Sequence, residues 1–241
     1  YMRKEYADSL QQWVFQCSMG ERGKYVYSDL GPILMRWAVE KMTSQAFDEY
    51  LQKQFYDPLQ LSRLTFRPYA KYDGDEILPT EFDHEFRRRL IHGDVHDPTA
   101  AMQGGISGNA GLFSNAFDLA VIMQMLLNKG SYGGVRYLEP NTISLFTKQQ
   151  FVPSKNRRGL LFDKPETEKG KPSPCSASAS AATFGHQGFT GTCVWVDPTY
   201  DLIVVFLSNR IYPDASNDKL VKMNVRTQVQ QAVYNAIGAG R

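Results

Sequence analysis

The sequence predicts an α+β fold in which an antiparallel sheet is flanked by helices. Three observations predict it. Apolar residues recur at helical spacing in two long stretches, residues 29–56 and about 115–128. Two apolar runs, 184–196 and 201–209, read as strands and are separated by Asp197-Pro198-Thr199-Tyr200, the composition of a hairpin turn. A third helical stretch, residues 217–237, follows that hairpin, so the elements are grouped and do not alternate as in βαβ units.

In the first stretch Leu30, Ile33, Leu34, Trp37, Ala38 and Met42 share one face, and Asp57-Pro58 is expected to end it. Residues 62–97 show little periodicity and are expected to be a loop-rich excursion with short strands. In the second helix Asn115 or Ser114 is the cap. Its apolar face is Leu119, Ile122, Met123, Met125, Leu126 and Leu127, and Lys129-Gly130 closes it. Pro140 opens a shorter helix through Phe146. Residues 163–182 are polar, with Pro172-Ser173-Pro174, and are expected to form a mobile surface loop.

Bulk properties exclude several classes. With 27 basic and 25 acidic side chains the chain carries a formal charge of +2, which gives no electrostatic reason to expect nucleic acid as a partner. The local cluster Arg87-Arg88-Arg89 is read as a solvated helix face. No run approaches the ~20 apolar residues needed to span a bilayer. The opening Tyr1-Met2-Arg3-Lys4-Glu5 is charged and no apolar segment follows, so either the protein is cytosolic or a leader has been removed with other upstream sequence. The cysteines, Cys17, Cys175 and Cys193, are odd in number and match neither a zinc pattern nor a disulfide framework. Cys193 lies in a strand pattern and is expected in the core.

Three segments carry chemistry. They are Tyr25-Val26-Tyr27-Ser28-Asp29-Leu30-Gly31 at a helix entrance, the glycine-dense Gly104-Gly105-Ile106-Ser107-Gly108-Asn109-Ala110-Gly111-Leu112-Phe113-Ser114, and Phe184-Gly185-His186-Gln187-Gly188-Phe189-Thr190-Gly191-Thr192. Singly they read as a capped helix, a turn and a tight strand entry. The glycine run lacks the Lys-Ser/Thr ending of a phosphate-binding loop. Taken in order, they resemble the downstream two-thirds of the β-lactamase-like serine hydrolases, which include class C β-lactamases, low-molecular-weight penicillin-binding proteins and related esterases. Val95-His96-Asp97-Pro98-Thr99-Ala100 and Leu207-Ser208-Asn209-Arg210 also match recurrent segments of that family.

The resemblance implies a β-lactamase/transpeptidase-like fold, with residues 1–241 forming one domain incomplete at its N-terminus. It implies a small-molecule or peptide substrate, no cofactor, and a periplasmic or extracellular bacterial location. Tyr27 corresponds to the family tyrosine that moves the proton during acyl transfer. A phenol, with an ordinary pKa of about 10, needs cationic or hydrogen-bonding neighbours for that role. Asp29 stands where the family usually has asparagine. The family's Lys-Thr-Gly appears as His186-Gln187-Gly188. His186 would be a donor beside the site, and Gly188 would let substrate approach the strand, with Gln187 on the same strand. The backbone N–H of Phe189 would supply half of an oxyanion hole. The reading requires Tyr27 and His186 to face one cleft.

The family nucleophile is the serine of Ser-x-x-Lys, on a helix upstream of the tyrosine, where the spacing puts the amine beside the hydroxyl. In this chain the pattern occurs only as Ser216-Asn217-Asp218-Lys219, after the last motif strand, where Ser216 is read as a cap for the terminal helix. The expectation is that the nucleophile lies outside these residues and that the chain alone is inactive. Two rival readings stand beside this one. His92, Asp94 and His96 have ligand spacing for a metal-dependent hydrolase. Alternatively, the domain is a non-catalytic module that binds cell-wall glycan or peptide, following a family 3 glycoside hydrolase in a larger parent.

Overall fold

The computed structural model describes residues 5–154, 156–168 and 170–238. The charged opening, residues 1–4, lies outside them. The chain divides into two compact units, residues 1–114 with 212–214, and residues 115–211 with 215–241.

The first unit begins with helix α1, Glu5–Gln16, which buries Leu10. Helix α2, Leu30–Thr43, buries Ile33. The long helix expected through residue 56 is interrupted after Thr43. There Ser44 takes a left-handed conformation, φ 55°. The Thr43 hydroxyl donates to the Val39 carbonyl at 2.8 Å and accepts from the Gln45 amide at 3.3 Å, a local alternative to the helical ladder. The chain resumes as α3, Phe47–Leu51, and a π-turn, Gln52–Tyr56, ending at Asp57-Pro58 as expected.

Next come β1, Thr65–Phe66; β2, Pro79–Asp83; β3, Arg89–His92; helix α4, Pro98–Met102; and β4, Leu112–Phe113. Strand β1 pairs with β4 and β2 with β3, both antiparallel. The Arg87-Arg88-Arg89 cluster belongs to the β2–β3 hairpin, which corrects its reading as a helix face. Asp83 accepts from the amides of Glu85, Phe86 and Arg87 and holds the tight connection. Burial works against the Asp83 charge, but those amides and the Arg87 guanidinium outweigh it and hold the carboxyl well below the usual range.

The second unit starts with α5, Ala116–Leu127. Its cap is Asn115, whose side chain accepts from the Asp118 amide at 2.8 Å, and Lys129 and Gly130 follow at positive φ. Its deepest face is Asp118, Val121 and Met125, so of the expected apolar face only Met125 is fully buried. A hairpin of β5, Ser131–Tyr132, and β6, Val135–Arg136, leads to α6, Pro140–Thr147, opened by its proline. The sheet is β7, Phe184–Gln187; β8, Cys193–Asp197; and β9, Leu202–Phe206, antiparallel in that order. The run expected as one strand over 184–196 is therefore two strands and a turn. The Gly188 amide donates to the Thr192 carbonyl at 2.8 Å, and the Gly191 amide to the Gly188 carbonyl at 3.1 Å.

Helix α5 packs on β9 and β8. The sheet is buried on both faces, with Val196 and Phe184 on one and Trp195 on the other, where Cys193 and Cys175 pack around Trp195. Burial pushes both thiols up to about 11. The segment expected as a surface loop, residues 163–182, is anchored inside the unit: Asp163, Lys164, Cys175 and Ser176 are all buried. The terminal helix is also interrupted. Helix α7, Lys219–Lys222, and helix α8, Val225–Ala236, are separated by Asn224 at φ 51°. From α8, Tyr234 donates to Asp197 at 2.6 Å, and Gln230 accepts from the Ser176 amide at 2.8 Å.

Candidate active site

The first two chemistry-bearing segments both lie in the first unit, and the second rests on the helix that the first opens. Tyr27 stands on the loop entering α2 with more than half its surface exposed, at 58 %. Just after it the Ser28 hydroxyl accepts from the Leu30 amide at 3.2 Å. Asp29 occupies the N-cap, and its carbonyl accepts from the Ile33 amide at 3.2 Å. A carboxylate at that end is favoured by the helix dipole, which gives a local reason for an acid at this position.

The glycine-dense segment rests on the first turn of α2. A Cβ built on Gly108 would lie 2.0 Å from the Pro32 carbonyl oxygen, so only glycine fits this approach. Side chains tie the same contact. Arg36 donates to Gln103 at 3.1 Å, and Gln103 to the buried Ser107 hydroxyl at 3.1 Å. Ser107 in turn donates to Asn109 at 2.7 Å, and Asn109 to Asp97 at 3.2 Å. Asp97 also caps α4, accepting from the Ala100 amide at 2.7 Å, so Asp97 has a structural role in this turn.

The third segment lies in the second unit. His186 sits on β7 opposite Val194. Its Nδ1 is 2.8 Å from the Gln187 carbonyl oxygen, and its Nε2 is 3.0 Å from Nη1 of Arg158. The Gln187 side-chain amide donates to the Pro174 carbonyl at 2.5 Å, which ties it to the preceding loop. Gly188 has a steric reason of its own: a Cβ there would meet the Thr192 hydroxyl at 2.4 Å. The turn carrying Phe189 is braced through its carbonyls. Arg226 donates to those of Gly188 and Thr192 at 3.1 and 3.3 Å, and Arg210 Nε to that of Phe189 at 3.0 Å. The Arg210 amide donates to the Thr190 carbonyl at 3.0 Å, and its guanidinium lies 4.8 Å from the centre of the Phe189 ring.

Sequence reasoning missed Arg157, Arg158, Asp163 and Arg226. The available signal was the adjacent pair Arg157-Arg158 followed within ten residues by the acids Asp163 and Glu166. They form one network. Arg157 holds Asp163 at 2.7 and 3.1 Å, Arg158 holds Asp163 at 3.1 Å, and Arg157 reaches Glu166 at 3.4 Å. The Glu168 and Thr167 amides, with Arg157 beside them, hold the Glu166 carboxyl below its ordinary value despite some burial.

Two sequence candidates have other partners. Ser216 lies on the turn before α7, whose N-cap is Asp218, so Ser216 is not the cap expected of it. Nor is it on a helix with Lys219, and the pair lacks the one-face geometry of an activated serine. Of the proposed metal ligands, His92 donates from Nε2 to the Ile77 carbonyl at 2.6 Å, His96 meets Glu81 at 2.5 Å, and Asp94 pairs with Arg89. Among the described residues no group of three or more His, Cys, Asp or Glu side chains is placed to hold a metal ion. Among them, too, no helix is long and apolar enough to cross a membrane.

A helix-flanked antiparallel sheet with these three segments in this order defines a β-lactamase/transpeptidase-like protein. The family model described as Beta-lactamase matches residues 1–225, and the chain belongs to that family. A Salmonella gallinarum protein named for an inferred D-alanyl-D-alanine carboxypeptidase activity is 33 % identical over 211 residues, covering 83 % of this chain and 48 % of that protein. The chain thus spans about half the length of the curated relatives it matches. Among solved structures, a β-lactamase from Mycobacterium bovis superposes with a TM-score of 0.57 at 22 % identity, covering 88 % of this chain and 64 % of that one. The simvastatin synthase LovD of Aspergillus terreus gives 0.57 at 18 % identity, covering 96 % and 62 %. Both show the shared fold.

Proposed function

We propose that residues 1–241 belong to a serine hydrolase domain that transfers an acyl group from an amide or ester through an acyl-enzyme, with the nucleophilic serine outside this chain. The observation that carries the reading is the ordered set of three segments inside one family match, with the second seated at Gly108 on the helix that the first opens. In this reading Tyr27 shuttles the proton, with Asp29 beside it. The Phe189 N–H stabilises the developing oxyanion, and Gln187 and Gly188 shape the strand edge next to His186. Braced carbonyls in the 188–192 turn suit that role, because a preorganised donor needs no reorganisation when charge develops.

The names of the Salmonella relatives favour a peptide ending in D-alanyl-D-alanine over a β-lactam or simple ester. They also favour a periplasmic or extracellular location. A fluorophosphonate probe, which reacts with activated serines, should leave the 241-residue chain unmodified. Labelling of any serine within it would overturn the assignment of the nucleophile. In a longer form that carries Ser-x-x-Lys and turns over a D-alanyl-D-alanine peptide, Tyr27→Phe should slow acyl transfer by about 10²–10⁴-fold with the fold retained. Unchanged turnover would remove Tyr27 from the mechanism.

A further inference from the structure

We propose that Arg158 is a positioning residue for His186: it fixes the imidazole as the tautomer protonated at Nδ1 and supplies the permanent cation at this place in the site. The proposal rests on the reading of His186 as a site residue. It revises the role of that residue from donor to acceptor.

The tautomer follows from which groups can donate. The Gln187 carbonyl oxygen, 2.8 Å from Nδ1, only accepts, so Nδ1 carries the hydrogen. The guanidinium of Arg158, 3.0 Å from Nε2, only donates, so Nε2 presents its lone pair. An Nε2–H would point at a cation and leave the Gln187 contact without a proton.

Arg158 is itself held in register with the strand that carries His186. Its Nη2 donates to Asp163 Oδ2 at 3.1 Å, and Asp163 is 5 % exposed. The Asp163 backbone pairs in both directions with Gly185, the residue before His186, at 2.8 and 3.1 Å. One residue therefore aligns the carboxylate, the guanidinium and the imidazole. Where the related Lys-Thr-Gly pattern has an ammonium, this chain has a neutral acceptor backed by a planar cation that stays charged at any physiological pH.

The test is nitrogen-15 NMR of the chain labelled at histidine, with His186 assigned by its absence in His186→Gln. The expected result is a protonated Nδ1 and an unprotonated Nε2 at His186. In Arg158→Met, which has no donor, the Nε2–H form should become at least as abundant as the Nδ1–H form, while Arg158→Lys, which keeps a donor, should retain the native tautomer. His92 and His96 report on folding in the same spectra. A wild-type His186 protonated mainly at Nε2 would refute the proposal even if every variant failed to fold. So would a folded Arg158→Met with an unchanged tautomer ratio. These readings do not depend on turnover. The catalytic reading fails separately, through a His186→Gln variant of the longer protein with unaltered kcat/KM.

Discussion

At the residue scale, burial decides which side chains are reactive. Cys17 is exposed, whereas Cys175 and Cys193 are buried with their thiols pushed up to about 11. Since the thiolate is the nucleophile, iodoacetamide at neutral pH should modify the native chain once, at Cys17, and all three cysteines after denaturation. Mass spectrometry counts the adducts. Asp197 is one of the buried acids of the second unit. Burial opposes its charge, but donors from Ser180 and Tyr234 prevail and hold its carboxyl below the ordinary 3.8. A depressed carboxyl contributes stability that is present above its unfolded value and is lost as pH falls through its folded value. Tyr234→Phe should therefore cost about 1.5–3 kcal/mol near neutral pH, and the difference from wild type should shrink below pH 3.8. Urea titrations at two pH values measure it.

At the element scale, the two glycine-bearing turns can be tested separately. Gly108→Ala drives a methyl into the Pro32 carbonyl and should destabilise the first unit by about 1–3 kcal/mol, read as a lower urea midpoint. Arg226→Gln removes two donors from the 188–192 turn. In the longer, active form it should lower kcat by about tenfold with little change in KM, because the loss falls on a donor needed in the transition state. Equal losses in KM would indicate a substrate-binding role instead. The elements also show what could be read beforehand. Helix α5 was legible because its cap, Asn115, and its closing Lys129-Gly130 are both encoded locally. The breaks at Ser44 and Asn224 were not, since each is a single left-handed residue inside an uninterrupted helical pattern. The 188–192 turn was hidden for a similar reason: Phe184, Phe189 and the apolar Cys193-Val194-Trp195-Val196 made the run look like one strand.

At the scale of the whole chain, the family and its helix-flanked sheet were legible because motif order survives where motif identity drifts, as His186-Gln187-Gly188 shows. The network around His186 was not, because Arg158 is 28 positions away and meets the imidazole only after the intervening segment folds back along β7. The expected surface loop failed on the same ground. Polar residues 163–182 look solvated in sequence, but the Asp163 backbone and the Ser176 amide find buried partners in distant segments, at Gly185 and Gln230.

The anchoring of α8 has a consequence for synthesis. Tyr234 and Gln230 provide hydrogen bonds to groups that are buried far earlier in the chain, at Asp197 and Ser176. As the ribosome elongates the polypeptide, the three-stranded sheet emerges before these donors and acceptors exist. Its interior must wait, with the Ser176 amide unanswered and Asp197 short of one donor, until codons 230 to 234 are read. A nascent chain stalled before residue 225 should remain protease-sensitive across residues 163–206, whereas one released after residue 238 should not.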